Sequence, residues 1–332
     1  MTHIIFDGQH IELNDGQSVL SALLEREYDI PNSCQSGVCQ SCIMQAVDGN
    51  VPVSAQVGLK DTFKDQGYFL ACSCQPKTPL QVVKVSDKAL RYSATVVVHE
   101  LLSADVLRLR LQTQSDFSYR AGQFIHVWKN QSLSRSYSLA SVEGLDDCLE
   151  LHIRRVSGGK LSNWLHDDIK EGDRLQILSA AGNCFYVSGN INQKILLAGT
   201  GTGLAPVIGI ARDAIKQGHQ GEIHLLHGAR RKSDLYLHQT LVEMSKQYPQ
   251  FFYHANVLEF DDAISLNSDA SVLVSTLPIE QQVVDITLNP ADWKVYLCGD
   301  DGIVNALKKK LFLSGVNMKN IYADPFVKSR ED

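Results

Sequence analysis

Residues 31–42 read Pro31-Asn32-Ser33-Cys34-Gln35-Ser36-Gly37-Val38-Cys39-Gln40-Ser41-Cys42, and Phe69-Leu70-Ala71-Cys72-Ser73-Cys74 follows further along the chain. Four residues separate Cys34 from Cys39, two separate Cys39 from Cys42, and 29 separate Cys42 from Cys72. Three thiolates on one short loop surround a metal centre only if the backbone curls around it, and Gly37 relieves the steric limit on that curl. Peptide N–H groups of such a loop can then hydrogen-bond to sulfur and tune the centre. Four thiolates suit either an iron–sulfur cluster or a structural zinc ion. Zinc sites more often pair two C-x2-C knuckles, so this spacing favours the cluster. Position alone leaves Cys74 open as an alternative fourth ligand. Cys148 and Cys184 have no partner spacing and read as packing residues.

Composition sets the frame around this motif. A chain of 332 residues exceeds what one hydrophobic core organises, so two or three domains are expected. With 44% apolar residues, 20% charged residues and nine prolines, the whole chain is expected to fold. The net charge is −6 and the basic residues never form a block, which excludes nucleic acid as a partner. Residues 1–90 hold ten acidic against six basic side chains, a solvated surface that can also steer docking. The opening MTHIIFDGQH has no basic region followed by an apolar stretch, and the uncharged run Ile195–Ala211 is broken by four glycines and a proline. Neither signal peptide nor membrane span is expected, and a cytoplasmic location follows, where cysteines serve metal or redox chemistry.

Three segments differ in pattern. Residues 1–88 open with a hairpin around Asp7-Gly8, then a short amphipathic helix over Ser18–Glu27, the cysteine loop, and strands at Ile43–Val47 and Leu80–Val85. Residues 92–188 carry strands at short intervals, Ala94–Val98, Val106–Leu111, Gln123–Val127, Cys148–Val156 and Arg174–Leu178, with one helix at Lys160–Asp167. That spacing predicts an antiparallel barrel or sandwich. In residues 191–332 the apolar strands Lys194–Ala198, Glu222–His227, Phe252–Leu258 and Lys294–Cys298 alternate with helices near 204–217, 234–247 and 301–313. This βαβ order predicts a parallel sheet with ligands at the carboxyl ends of its strands.

The cysteine loop together with FLACSC resembles the plant-type 2Fe-2S ferredoxin domain, which implies a β-grasp fold for residues 1–88 and Cys34, Cys39, Cys42 and Cys72 as cluster ligands. Arg135-Ser136-Tyr137-Ser138 resembles the R-x-Y-S motif of the ferredoxin–NAD(P)H reductase superfamily. The resemblance implies that Arg135 neutralises the flavin pyrophosphate, that Tyr137 packs on the isoalloxazine and that Ser136 and Ser138 border it, Ser138 near N5. The stretch Ile153-Arg154-Arg155-Val156-Ser157-Gly158-Gly159-Lys160-Leu161-Ser162 is similar to the family's flavin phosphate-binding element. It implies cofactor contacts from Ile153, Arg154, Val156, Gly158, Gly159 and Ser162.

The loop Gly199-Thr200-Gly201-Thr202-Gly203 after an apolar strand is not G-x-G-x-x-G, and no acidic residue ends the next strand. It resembles instead the nicotinamide loop of the same superfamily. By the same resemblance Cys298-Gly299-Asp300 lines the nicotinamide pocket and Phe326 shields the flavin. Many relatives have Glu where Asp324 stands. Arg230, beside Arg231, can meet a 2′-phosphate, which leaves NADPH open beside the NADH that relatives with an N-terminal ferredoxin mostly use.

The expected architecture is therefore multidomain, α+β and α/β: a β-grasp ferredoxin (1–88), an antiparallel β-barrel flavin domain (92–188) and a parallel-sheet nicotinamide domain (191–332). The resemblance implies a flavin- and iron–sulfur-dependent NAD(P)H reductase of the kind that serves multicomponent oxygenases, and one that reduces CDP-6-deoxy-glucoseen is similar. Its cofactors would be a 2Fe-2S cluster, FAD and NADH. Hydride would arrive at the flavin beside Ser138 and Cys298, then leave one electron at a time through the cluster to an acceptor redox protein such as an oxygenase component. The alternatives are another acceptor, such as a sugar-nucleotide dehydratase, and a non-catalytic redox-sensing iron–sulfur subunit.

Overall fold

The computed structural model describes residues 2–59, 64, 67–85, 91–113, 117–259 and 274–327. Its three sheets follow one another along the chain. In the first, the strands run in the order Gln9–Leu13, Thr2–Phe6, Leu80–Lys84, Ile43–Asp48, Tyr68–Leu70. The hairpin closes at Asp7 and Gly8, whose φ values of 48° and 76° are the pair a type I′ turn requires. Ser18 caps the helix, its Oγ accepting from the Ser21 N–H at 3.1 Å. That helix spans only Val19–Leu24, because the chain turns at Glu27 (φ 61°) to enter the cysteine loop. Val19, Leu20, Ala22 and Leu23 are buried against the sheet residues Ile4, Phe6, Ile11 and Leu13.

The second sheet orders its six antiparallel strands Leu149–Arg154, Val106–Thr113, Arg91–Leu101, Arg174–Leu178, Phe124–Trp128, Ser134–Ser138. Its two edges meet where Leu139 bridges Leu151 and the Ala140 N–H donates to the Glu150 carbonyl at 2.9 Å, so the sheet closes into a barrel. Leu109, Leu111, Ile125, Val127, Leu151 and Ile153 fill it, and the helix Lys160–Asp167 adds Leu161 and Leu165 to the same core.

The third sheet is parallel, in the order Val274–Ser275, Phe251–Val257, Ile223–Ala229, Lys194–Thr200, Trp293–Asp300, Ile321–Phe326. One hydrophobic cluster includes Leu197, Leu204 and Leu225, and another gathers Leu196, Val295 and Leu307, so both faces are covered. Helices form at Leu204–Lys216, His238–Gln247, Ile279–Ile286 and Asp301–Leu313. The strands at Ser134–Ser138, Val274–Ser275 and Ile321–Phe326 and the helix at Ile279–Ile286 add to those the sequence pattern predicts. Among the described residues no helix is long and apolar enough to cross a membrane.

Candidate redox site

The loop from Pro31 to Cys42 carries no regular structure, and Gln35, Gly37 and Gln40 take φ values of 52°, 80° and 56°. Left-handed conformations at two non-glycine residues cost about 1–2 kcal/mol each. What they achieve is to turn peptide N–H groups onto sulfur. Ser36 and Cys39 donate to Cys34 Sγ at 3.4 and 3.3 Å, Gly37 to Cys72 Sγ at 3.2 Å, and Cys72 to Cys42 Sγ at 3.4 Å. Gly37 takes its φ of 80° without the strain a Cβ would bring, and such a Cβ would also press on Ser73 Oγ at 2.5 Å, beside Cys72.

Hydrogen bonding from Cys39 brings the Cys34 thiol down to about 4, and the Cys42 contact brings Cys72 to about 7. Their partners Cys39 and Cys42 move up for the converse reason. The sulfurs thus approach in two pairs, Cys34 with Cys39 and Cys42 with Cys72, each met by peptide N–H donors as iron-bound thiolates require, although among the described residues no three His, Cys, Asp or Glu side chains are placed to hold a single metal ion. Cys74 is different: it is fully buried in the domain core, and burial alone pushes its thiol up to about 12.

Strand Ser134–Ser138 lies antiparallel to Phe124–Trp128, pairing Tyr137 with Ile125 and Ser138 with Phe124. A cavity of about 750 Å³ runs from this strand across the carboxyl ends of the parallel sheet. Arg135, Ser136, Tyr137, Arg154, Val156, Gly159, Ser162, Thr200, Gly201, Thr202, Arg230, Asp300 and Phe326 line it. Two arginines and the start of helix Lys160–Asp167 provide what a dinucleotide phosphate needs. A Cβ at Gly159 would meet Ser162 Oγ at 2.5 Å, and the same Oγ accepts from the Val156 N–H at 3.2 Å, so that turn is closed by its own contacts.

A second cavity of about 210 Å³ adjoins the first. It touches Cys34, Val38 and Cys39 of the cysteine loop, Arg135 to Ser138 of the barrel, and Thr202, Asp324, Pro325 and Phe326 of the parallel-sheet domain. All three domains thus face one space.

Six of the residues expected to meet the flavin or the nicotinamide line neither cavity. Ile153 is barrel core, Gly158 sits in an exposed turn, and Gly199, Gly203, Cys298 and Gly299 lie behind the wall. The reason is steric. A Cβ on Gly203 would fall 2.2 Å from the Cys298 carbonyl oxygen, and one on Gly199 2.7 Å from the Gly203 carbonyl oxygen, so these glycines let the loop and the Cys298 strand touch.

Cys298 is buried, which drives its thiol well above its ordinary value, and its Sγ lies 3.6 Å from Cys184 Sγ. Cys184 is the packing residue its sequence context suggests, and the core it fills is shared with Cys298 of the parallel-sheet domain. Asp324, where many relatives have Glu, lines the smaller cavity too. Ser138 Oγ donates to its Oδ2 at 3.0 Å, and burial raises the carboxyl to about 6 against the opposing effect of that bond.

Other lining residues carried no sequence signal. Asp105 accepts from Arg154 Nε at 2.8 Å at the cavity edge. Tyr236 lies 3.3 Å from His152 Nδ1, and His152 Nε2 lies 2.9 Å from Glu150, a buried chain between barrel and parallel sheet. At the far end Arg230 and Arg231 both donate to the Glu259 carboxylate, at 2.9 and 3.0 Å.

Three family models match the chain in this same order. They are the 2Fe-2S iron-sulfur cluster binding domain over residues 4–77, the oxidoreductase FAD-binding domain over 93–186 and the oxidoreductase NAD-binding domain over 197–309. The ferredoxin–NAD(P)+ reductase component of the naphthalene 1,2-dioxygenase system of Pseudomonas putida is 30% identical over 322 residues, covering 95% of each chain. Reductase component 1 of terephthalate 1,2-dioxygenase from Comamonas sp. is 30% identical over 95% of this chain and 93% of its own. Among solved structures, the Amycolatopsis cytochrome P450 reductase aligns with a TM-score of 0.67 and 27% identity over 98% of this chain and 99% of its own.

Proposed function

We propose, from the premise that this chain belongs to the family of ferredoxin–NAD(P)+ reductases with 2Fe-2S, FAD-binding and NAD-binding domains, a specific division of labour among its residues. The chain is an NAD(P)H-dependent flavin and iron–sulfur reductase that passes electrons to an acceptor protein. The observation that carries the residue assignment is the smaller cavity, bordered at once by Cys34 and Cys39, by Tyr137 and Ser138, and by Asp324 and Phe326.

FAD, held by residues of these cavities, would supply the conversion of a hydride's two electrons into the single electrons a 2Fe-2S cluster accepts. Arg135, Arg154, Gly159, Ser162 and the helix start they flank hold its phosphates, while Tyr137 and Phe326 wall the ring. Thr200, Gly201 and Thr202 offer the nicotinamide nucleotide a loop at the carboxyl end of the central strand, with Asp300 beside it and Cys298 and Gly299 supporting the loop from behind. Cys34, Cys39, Cys42 and Cys72 hold the cluster. A proton released at this site can be taken up by Ser138 Oγ as its own proton moves to Asp324 Oδ2, to which it already donates.

In this reading the acceptor is a redox protein of an oxygenase system, an oxygenase component itself, which the naming of relatives as reductase components of dioxygenase systems supports. The expected setting is the cytoplasm, where NADH is available. NADH is the preferred nucleotide, because Glu259 engages both arginines that would otherwise meet a 2′-phosphate. Cys72→Ser tests the assignment. It is expected to keep NADH-driven ferricyanide reduction, which needs only the flavin, and to lose cytochrome c reduction; retention of both overturns the cluster's place as outlet.

A further inference from the structure

Strand Phe124–Trp128 is buried along its whole length, though it belongs to a barrel with one inward face. Ile125 and Val127 point into the barrel core. Phe124, His126 and Trp128 are on the opposite face, where a barrel strand ordinarily meets water. Trp128 packs instead against Ile43 and Val85 of the ferredoxin domain, and Phe124 borders the smaller cavity. Between them His126 is 1% exposed.

The surroundings of that imidazole are specific. Nδ1 lies 3.4 Å from Ser41 Oγ in the cysteine loop and 3.3 Å from Ser136 Oγ in the Arg135–Ser138 motif. Ser41 Oγ in turn is 3.4 Å from Cys39 Sγ. One ring nitrogen thus connects a cluster cysteine, through one hydroxyl, to the flavin motif. Nε2 finds no partner among the described residues. An unsatisfied buried nitrogen is costly, and an apolar side chain would fill the same space without it. What the histidine adds over leucine is polar contact between two domains, the Nδ1 bridge to Ser41 and Ser136 and a hydrogen bond with the Cys39 backbone.

We propose that His126 is the positioning residue for electron transfer from flavin to cluster: it clamps the cysteine loop onto the flavin motif through Ser41 and Ser136, and through Ser41 it polarises the Cys39 side of the cluster. The inference rests on the assignment of Cys39 as a cluster ligand and of Ser136 as a flavin neighbour. Ser41, donating to the Cys39 thiolate, eases charge on the centre, and hydrogen bonds to cluster sulfur raise the reduction potential.

The test is anaerobic stopped-flow reduction of the full, cofactor-loaded chain by NADH, with flavin and cluster followed separately, plus an EPR-monitored potential titration of the cluster. In His126→Leu, flavin reduction should proceed at the wild-type rate, while cluster reduction slows about tenfold, the loss of two weak hydrogen bonds. The cluster potential should fall, and His126→Asn, whose amide reaches close to the Nδ1 position, should restore both. Unchanged cluster reduction in His126→Leu, or equal slowing of both phases, overturns the proposal. If His126→Leu does not fold, Ser41→Ala carries the same two outcomes from the ferredoxin side. A wild-type cluster that NADH never reduces would instead bring down the assignment beneath the proposal, and is read on a different protein.

Discussion

Ser138 and Asp324 stand 186 positions apart in the chain, in the barrel and in the parallel sheet, yet the hydroxyl donates to the carboxylate at 3.0 Å inside the cavity all three domains share. Burial raises the Asp324 carboxyl from 3.8 to about 6. Its charged form, which accepts a proton, therefore prevails only above that value. Turnover with NADH is expected to fall as pH drops through about 6, and Asp324→Asn should lower kcat and flatten that limb. A pH profile of both proteins checks it.

The same shift has a consequence for stability. A carboxyl raised on folding stabilises the native state below its unfolded value of 3.8, and that contribution is lost as pH rises through about 6. Relative to Asp324→Asn, the wild type should lose up to ~3 kcal/mol between pH 4 and 7. Thermal unfolding at the two pH values measures the difference, and a gap that does not change with pH contradicts it.

Glycine substitutions should separate contact from conformation. Gly203→Ala places a Cβ 2.2 Å from the Cys298 carbonyl oxygen, backbone that cannot step aside. It should cost ~3 kcal/mol or more and weaken nicotinamide binding. Gly158 has φ 75° but open space, so Gly158→Ala should cost only ~1 kcal/mol and leave NADH affinity intact. Denaturant titration with NADH binding on each variant distinguishes them.

Neighbouring cysteines offer a further contrast. Cys74→Ser buries a hydroxyl in the ferredoxin core and should cost ~1–3 kcal/mol while keeping two irons per chain. Cys72→Ser should lose the cluster's visible absorbance. Iron analysis and EPR of both proteins provide the check.

Nucleotide preference turns on Glu259, whose carboxyl is held below its ordinary range by Arg230 and then Arg231. Glu259→Gln removes the carboxylate charge that Arg230 meets, and kcat/KM for NADPH should rise about tenfold as an Arg230–phosphate contact becomes available. No change relative to NADH would remove Glu259 from the selectivity.

Much of this was legible in sequence where chemistry is local. The cysteine spacing needs one loop and one later turn, and the structure sets the turn Ala71–Ser73 against that loop, with Gly37 donating to Cys72 and Cys72 to Cys42. The glycine loop after Lys194–Thr200 and the helix start at Gly159 are equally local. Contacts set by domain packing were not readable. Cys184 meets Cys298 across 114 positions, and Tyr236 meets His152 across 84. Asp324 becomes intelligible only when strand Ile321–Phe326 adds to the parallel sheet beside Trp293–Asp300. Strand Ser134–Ser138, four of whose five residues are serine or arginine, lacks the alternation that marks a strand, because it borders a cofactor cavity rather than a core.

The most direct measurement strips FAD from the protein while keeping the cluster, adds NADH anaerobically and records the EPR signal of the reduced cluster. With flavin as the sole entry for hydride, no signal should develop until FAD is restored, after which the full signal should appear. A cluster reduced by NADH in the flavin-free protein would contradict the path from nicotinamide through the Tyr137–Ser138 cavity to Cys34, Cys39, Cys42 and Cys72.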